Sequence, residues 1–161
     1  MGDKPDPGVV ARSPLGVELE QEDCRTLAGA MTVRRLADAD VLIEEGHVDD
    51  ALHVIVSGAL AVTRNTAGGT WVTLQLLRQG DIAGELGFLD GKEHSATLRA
   101  TGATQVYSLQ RPVLESLLEA HPQLVYRVMR AIVRTVHAIL LRMNLEYVEL
   151  TNYITKQHGR Y

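Results

Sequence analysis

The stretch that decides the reading is residues 80–100, Gly80-Asp81-Ile82-Ala83-Gly84-Glu85-Leu86-Gly87-Phe88-Leu89-Asp90-Gly91-Lys92-Glu93-His94-Ser95-Ala96-Thr97-Leu98-Arg99-Ala100. Gly80-Asp81 is a turn signal. Gly84-Glu85-Leu86 predicts a short helix opening directly after a strand, and free backbone N–H groups at such a start favour an anion. Gly84 lets the backbone approach a neighbour closely. From Ser95 onward the chain resumes the texture of a strand.

Around this stretch, from about 32 to 109, short runs of Val, Ile, Leu and Thr are punctuated by Gly46, Gly58, Gly68-Gly69, Gly80, Gly84, Gly91 and Gly102. Turn signals at that spacing predict a compact β-roll or sandwich, not strands alternating with long helices. Residues 52–62, from Leu52 to Val62, read as two strands joined tightly at Gly58, and Trp71 to Leu77 as a further strand. Upstream, Cys24, Leu27, Ala28 and Met31 recur at helical spacing and predict a short helix after Glu18. Residues 1–16 hold three of the five prolines and three glycines without apolar periodicity, which predicts a flexible tail outside the fold.

Downstream, Arg111-Pro112 opens a helix, because proline at a first helical position forfeits no intrahelical bond. Its buried stripe is Val113, Leu114, Leu117 and Leu118. His121-Pro122 interrupts it, and a second helix runs on to about Leu150. Along that helix Val125, Met129, Ile132, Val136, Ile139, Met143 and Leu150 keep a spacing of four and three, with Glu146 out of pattern. A 3.5-residue seam is what a two-stranded coiled coil needs, so a homodimer is expected. A second stripe of Leu124, Val128, Ala131, Thr135, Ala138 and Leu145 is expected to face the chain's own barrel. The last eleven residues are too few for a helix-turn-helix, so no direct DNA binding is expected.

Composition narrows the class. The chain has 161 residues, 45% of them hydrophobic and 22% charged, with a net charge of −4. That suits one globular domain and argues against a general nucleic-acid or membrane-surface binder, which needs a basic footprint. Cys24, the single cysteine, excludes an internal disulfide and is expected to pack as a small apolar residue. With no membrane-length apolar run and no secretory signal, the expected location is the cytoplasm.

Residues 80–100 resemble the phosphate-binding cassette of cyclic-nucleotide-binding domains, whose pattern is roughly Gly-Asp-x-x-Gly-Glu-Leu, a short loop, then Arg-Ser/Ala-Ala-Thr-x-x-Ala. Val54-Ile55-Val56-Ser57-Gly58 upstream, Val106-Tyr107-Ser108-Leu109 downstream and the His121-Pro122 hinge are similar to the rest of that family's pattern, so the resemblance covers about 18–150. It implies a mainly β fold with flanking helices: a double-stranded β-helix (jelly-roll) barrel at about 32–109, helices at about 111–150, and the last of these a long dimerisation helix. The domain as a whole would occupy 17–161. The ligand implied is a cyclic nucleotide, cyclic AMP or cyclic GMP, with no further cofactor. By the resemblance Glu85 would accept from the ribose 2′-hydroxyl. Ser95 and the backbone of Ala96 would donate to the cyclic phosphate, with Gly84 and Leu86 completing the cradle.

The sequence departs from the pattern twice. His94 stands where most nucleotide-binding members carry arginine. Arginine offers a permanent bidentate fork, whereas an unperturbed histidine is only partly charged at neutral pH. If His94 meets the phosphate, affinity rises as pH falls from about 8 to 6. Lys92 is a candidate helper, and Arg99, four residues and roughly 13 Å along the strand from Ser95, is not a replacement. On the long helix, where catabolite-activator-type members place polar purine contacts, alignment at Pro122 gives Thr135, Ile139 and Leu140, two of them apolar.

Two functional readings follow. One is a non-enzymatic sensor that passes nucleotide binding through its long helix to an unidentified downstream protein. The other is a domain that has lost nucleotide affinity and serves as a dimerising scaffold. A metal-holding enzyme built from His47 and His53 with Glu44 and Glu45, as in the cupin β-rolls, fails for want of a second histidine downstream. No catalytic constellation can be placed.

Overall fold

The computed structural model describes residues 3–158. Its centre is an antiparallel roll of six strands: β1 (Thr32–Leu36), β2 (Val41–Ile43), β3 (Ala51–Asn65), β4 (Trp71–Arg78), β5 (Ile82–Ala83) and β6 (Thr97–Gln110). The path runs β1-β6-β3-β4, with β2 paired to β6 and β5 to β3. This is the jelly-roll that the family resemblance implied. The flanking helices are α1 (Pro7–Arg12), a 3-10 turn at Pro14–Glu18, α2 (Gln21–Ala30), α3 (Glu85–Asp90), α4 (Arg111–Ser116) and α5 (Pro122–His158).

Gly58 does not join two strands, contrary to the sequence reading. β3 is one strand of 15 residues that passes straight through it. The ladder with β6 shifts register on either side of Ser57, Gly58 has φ +78°, and a Cβ there would sit 2.5 Å from the carbonyl oxygen of Ala103. A glycine at such a place marks a bulge with close backbone approach, and the bulge bends the strand into the roll.

The amino-terminal segment also differs from the expectation of a flexible tail over residues 1–16. Asp6 caps α1 by accepting from the Gly8 N–H at 2.8 Å, and its own N–H donates to the Tyr107 hydroxyl at 3.0 Å. Val10 and Leu15 are fully buried in the main core with Leu27, Leu52, Leu109 and Val128. Three prolines and three glycines disguised two short helical turns, because Pro7 and Pro14 occupy the first positions where proline is tolerated. Cys24 is buried on α2 as a small apolar residue, and burial pushes its thiol above the usual range.

α5 has two regimes. Its first three turns bury Leu124, Val125, Val128, Ala131 and Ile132 against the chain's own core. Arg127 pairs with Asp23 at 2.6 Å and Glu20 at 3.0 Å, while Arg130 and Arg134 both pair with Glu18. Beyond residue 142 the helix stands clear. The seam expected at Val125, Ile132 and Ile139 is therefore displaced: two of those residues are core and the third lines a cavity. The outward apolar residues are Tyr126, Met129, Val133, Leu140, Met143, Tyr147 and Leu150: Met129, Met143 and Leu150 stay from the expected seam, Tyr126, Val133 and Leu140 stand one position beyond the residues it loses, and Val136 packs against the core. Leu145, expected against the barrel, is exposed.

Candidate functional site

β5 ends at Ala83 and the chain turns at Gly84, whose φ of +80° and ψ of 12° put it in the left-handed region as the N-cap of α3. A side chain there would be strained by the backbone and blocked as well, since a Cβ would lie 2.7 Å from the Ala51 carbonyl oxygen. The expected helix after Gly84-Glu85-Leu86 is thus present, anchored by Phe88, which is buried in the core. Gly91, with φ +66°, ends it, and its N–H donates to the Gly87 carbonyl at 2.9 Å.

The following loop is tied to the segment before β3. The Gly46 N–H donates to the His94 carbonyl at 2.8 Å, the His94 N–H to the His47 carbonyl at 2.9 Å, and the Glu45 N–H to Thr97 Oγ1 at 3.0 Å. These bonds aim residues 94–96 back toward α3. Between them lies an open cavity of about 590 Å³, lined by Gly84, Glu85, Leu86, His94, Ser95 and Ala96. All six residues singled out in the sequence therefore share one cavity, in the size range of small-molecule sites.

The side chains differ in readiness. Burial pushes the Glu85 carboxyl above the usual carboxylate range, against the opposing pull of its own backbone N–H and of His94. The Ser95 hydroxyl makes no hydrogen bond within the described residues. His94 is already engaged: its Nε2–H donates to the Asp49 carbonyl at 3.1 Å, and its ring lies so close to Gly87 that a Cβ there would be 2.5 Å from Cε1. With Nε2 as donor, neutral His94 has only an acceptor nitrogen left for a ligand, and it presents a second N–H once protonated.

Behind the cassette sits His53, fully buried on β3 between Ala83 of β5 and Ser108 of β6. Its Nδ1 is 2.8 Å from Ser108 Oγ, and Nε2 is 3.6 Å from Asp49 Oδ2, beyond hydrogen-bond range. Burial holds the ring below the usual histidine range and so neutral; the serine hydroxyl donates to Nδ1, and Nε2–H points at the carboxylate. The nearby His53 ring holds Asp49 below the usual carboxylate range. His53 is thus a core histidine that buttresses the segment holding His94. Among the described residues no group of three or more His, Cys, Asp and Glu is placed to hold a metal ion.

The far wall of the cavity is α5. Thr135 and Ile139 line it as the sequence alignment suggested, but Leu140 does not; it points outward and is half exposed. In its place stand Ala138, which the sequence reading put on the barrel-facing stripe, and Arg142, which it missed. The signal was available in the helical period, since Thr135, Ala138, Ile139 and Arg142 are i, i+3, i+4 and i+7 on one ridge. Lys92 also lines the cavity, whereas Arg99 turns away, with its guanidinium 4.6 Å over the Trp71 ring.

A β-roll with a left-handed glycine turn and a long helix on either side of one small-molecule-sized cavity defines a class of domain, which the comparisons identify. The cyclic nucleotide-binding domain family matches residues 33–121, and the chain belongs to that family. It is 29% identical over 126 residues to the cAMP-activated global transcriptional regulator CRP of Salmonella typhimurium, covering 77% of this chain and 60% of that protein. Over 123 residues it is 29% identical to the cAMP-dependent protein kinase regulatory subunit of Yarrowia lipolytica, covering 71% of this chain and 32% of the relative. The chain thus spans about three fifths of the length of the CRP proteins it matches. Among solved structures, the N-terminal domain of a transcriptional regulator from Streptomyces coelicolor superposes with a TM-score of 0.73 at 27% identity, covering 84% of this chain and 94% of that one. A cyclic nucleotide-binding domain from Methylobacillus flagellatus shares the fold, with a TM-score of 0.78 at 22% identity, covering 95% and 88%. No helix among the described residues is long and apolar enough to cross a membrane.

Proposed function

We propose that this chain is a non-enzymatic sensor that binds a cyclic nucleotide in the cavity between α3 and α5 and passes the binding event to a partner protein through α5. The observation that carries this reading is the convergence of Glu85, the unpaired Ser95 hydroxyl and the α5 ridge on one cavity of about 590 Å³. Glu85 accepts from the ribose 2′-hydroxyl, and an ionised carboxylate is a strong acceptor for it. Ser95 and the Ala96 N–H donate to the cyclic phosphate. α5 forms one wall of the cavity and also carries the outward apolar ridge, so a ligand that binds one placement of α5 better shifts the population of whatever assembly α5 makes. That assembly is a homodimer along Tyr126 to Leu150, a ridge roughly 37 Å long with coiled-coil spacing.

The scaffold reading is favoured by a specific observation: His94 stands in place of the arginine fork and spends one nitrogen on the Asp49 carbonyl. Isothermal titration with cyclic AMP and cyclic GMP at pH 6 and pH 8, with Glu85→Ala as control, separates the two. Heat present in the native protein, lost in the variant and larger in affinity at pH 6 supports the sensor; no heat from a folded dimer supports the scaffold.

A further inference from the structure

Among the described residues three buried side-chain polar atoms lack a hydrogen-bond partner: Asp50 Oδ1, Arg99 Nε and His53 Nε2. The first two belong to groups engaged through their other atoms. Asp50 pairs with Arg111 at 3.0 Å through Oδ2, and the Arg99 guanidinium donates to the Ala39 carbonyl at 3.3 Å. His53 is different. It is 0% exposed on β3, in register with Ala83 and Ser108, where an apolar side chain would pack without any polar group to satisfy. Its Nδ1 is met by Ser108 Oγ at 2.8 Å, while Nε2–H faces Asp49 Oδ2 at 3.6 Å, too far for a hydrogen bond. A buried donor without an acceptor lowers stability, and an apolar pair in place of His53 and Ser108 would avoid that loss. A buried polar group kept at such a cost calls for a reason outside folding.

We infer that His53 and Asp49 form a positioning pair that fixes His94 over the cavity. The inference rests on the proposed cyclic-nucleotide site and adds to it two residues that do not line the cavity. Asp49 is the hub. Its carbonyl oxygen accepts from His94 Nε2–H at 3.1 Å, its Oδ1 accepts from the Ala51 N–H at 3.0 Å, and its Oδ2 faces His53. The Ala51 bond ties Asp49 to the start of β3, and the His53 ring, anchored on β6 by Ser108, stands against the carboxylate from the barrel side. His53 also lies beneath the turn that opens α3, since a Cβ on Gly84 would be 3.5 Å from its Cδ2. One buried ring thus backs both halves of the cassette, the Gly84 turn directly and His94 through Asp49. Imidazole presents single N–H groups where arginine presents a planar fork, so a histidine contact depends on how firmly the ring is held. A polar ring holds the carboxylate by direction as well as distance; an apolar side chain of similar volume leaves Asp49, and His94 with it, free to turn.

The test uses two variants of the full chain. His53→Leu with Ser108→Ala removes both partners of the buried bond, and Asp49→Asn keeps the backbone carbonyl and loses the charge. Without ligand, imidazole nitrogen NMR should show His94 as the Nε2–H tautomer in the native protein and as a mixture of tautomers in both variants. Titration calorimetry with cyclic AMP and cyclic GMP as probes should show each variant binding about three- to tenfold more weakly than the native protein, the span of one ordinary hydrogen bond. In a His94→Ala background either change should alter affinity by less than about twofold, because the pair acts through His94. The unfolding temperature of the apolar variant should be no lower than that of the native protein. Asp49 is partly exposed, so Asp49→Asn carries the same comparison if the core variant does not fold. A single His94 tautomer kept in the variants, unchanged affinity, or an equal loss in both backgrounds overturns the inference and leaves the nucleotide site standing. Failure of both probes to bind the native protein overturns the site and the inference together.

Discussion

Replacing Glu85 by glutamine is expected to move binding and stability in opposite directions. The carboxylate lies at the start of α3 within the cavity, and burial raises its pKa. For binding, glutamine keeps an acceptor oxygen but loses the charge. A hydrogen bond to a charged group contributes roughly 1.5–3 kcal/mol and a neutral one roughly 0.5–1.5, so affinity should fall about five- to tenfold. For folding, the sign follows from linkage. The folded-state pKa lies above the unfolded one, so Glu85 costs nothing below the ordinary carboxylate range, where both states are protonated. The cost of its burial appears as pH rises through the unfolded value toward the raised folded one, and is constant above that. Ligand-free Glu85→Gln should therefore unfold at a higher temperature than the native protein at pH 7, with the gap closing near pH 4. Calorimetric titration measures the first effect and scanning calorimetry from pH 4 to pH 8 the second. Unchanged affinity would refute the role of Glu85 in the site. A lower unfolding temperature at pH 7 would refute the reading of it as a buried carboxylate kept for a ligand.

Three other experiments test the architecture. Leu15→Ala, in the segment that looked like a tail, should cost about 2–5 kcal/mol in denaturant unfolding because Leu15 is fully buried; a loss within about 0.5 kcal/mol would return that segment to the solvent. Gly58→Ala combines a φ of +78° with a Cβ placed 2.5 Å from a backbone oxygen, and should lower stability by at least about 1 kcal/mol in the same measurement. Leu140→Glu with Met143→Glu should convert a dimer to monomer in sedimentation, whereas Leu145→Glu, off the ridge, should leave it intact; the reverse result would relocate the interface.

What the sequence determined by itself is whatever depends on local chemistry and period. Short β-branched runs between glycines specified the roll, Gly84-Glu85-Leu86 specified a short helix opening after a strand, and Pro112 and Pro122 marked helix starts. His94 in the place of an arginine was visible without coordinates, as was the spacing that makes α5 a long amphipathic helix. What only the tertiary structure decided is which of several equivalent local options the packing selects. Gly58 satisfies a turn and a bulge equally well in isolation, and the close approach of Ala103 on β6 makes it a bulge. Residues 7–18 have too little periodicity to announce themselves, and become ordered because the core has room for Val10 and Leu15. Two apolar ridges one residue apart both fit a 3.5-residue period along α5. The barrel takes Val125 and Ile132, so the ridge left facing outward is that of Tyr126, Val133 and Leu140. The same choice of rotation turns Leu140 away from the cavity and brings Arg142 to its wall. Periodicity defines the faces of a helix, but the side each face presents is set by the surface against which its first turns are buried.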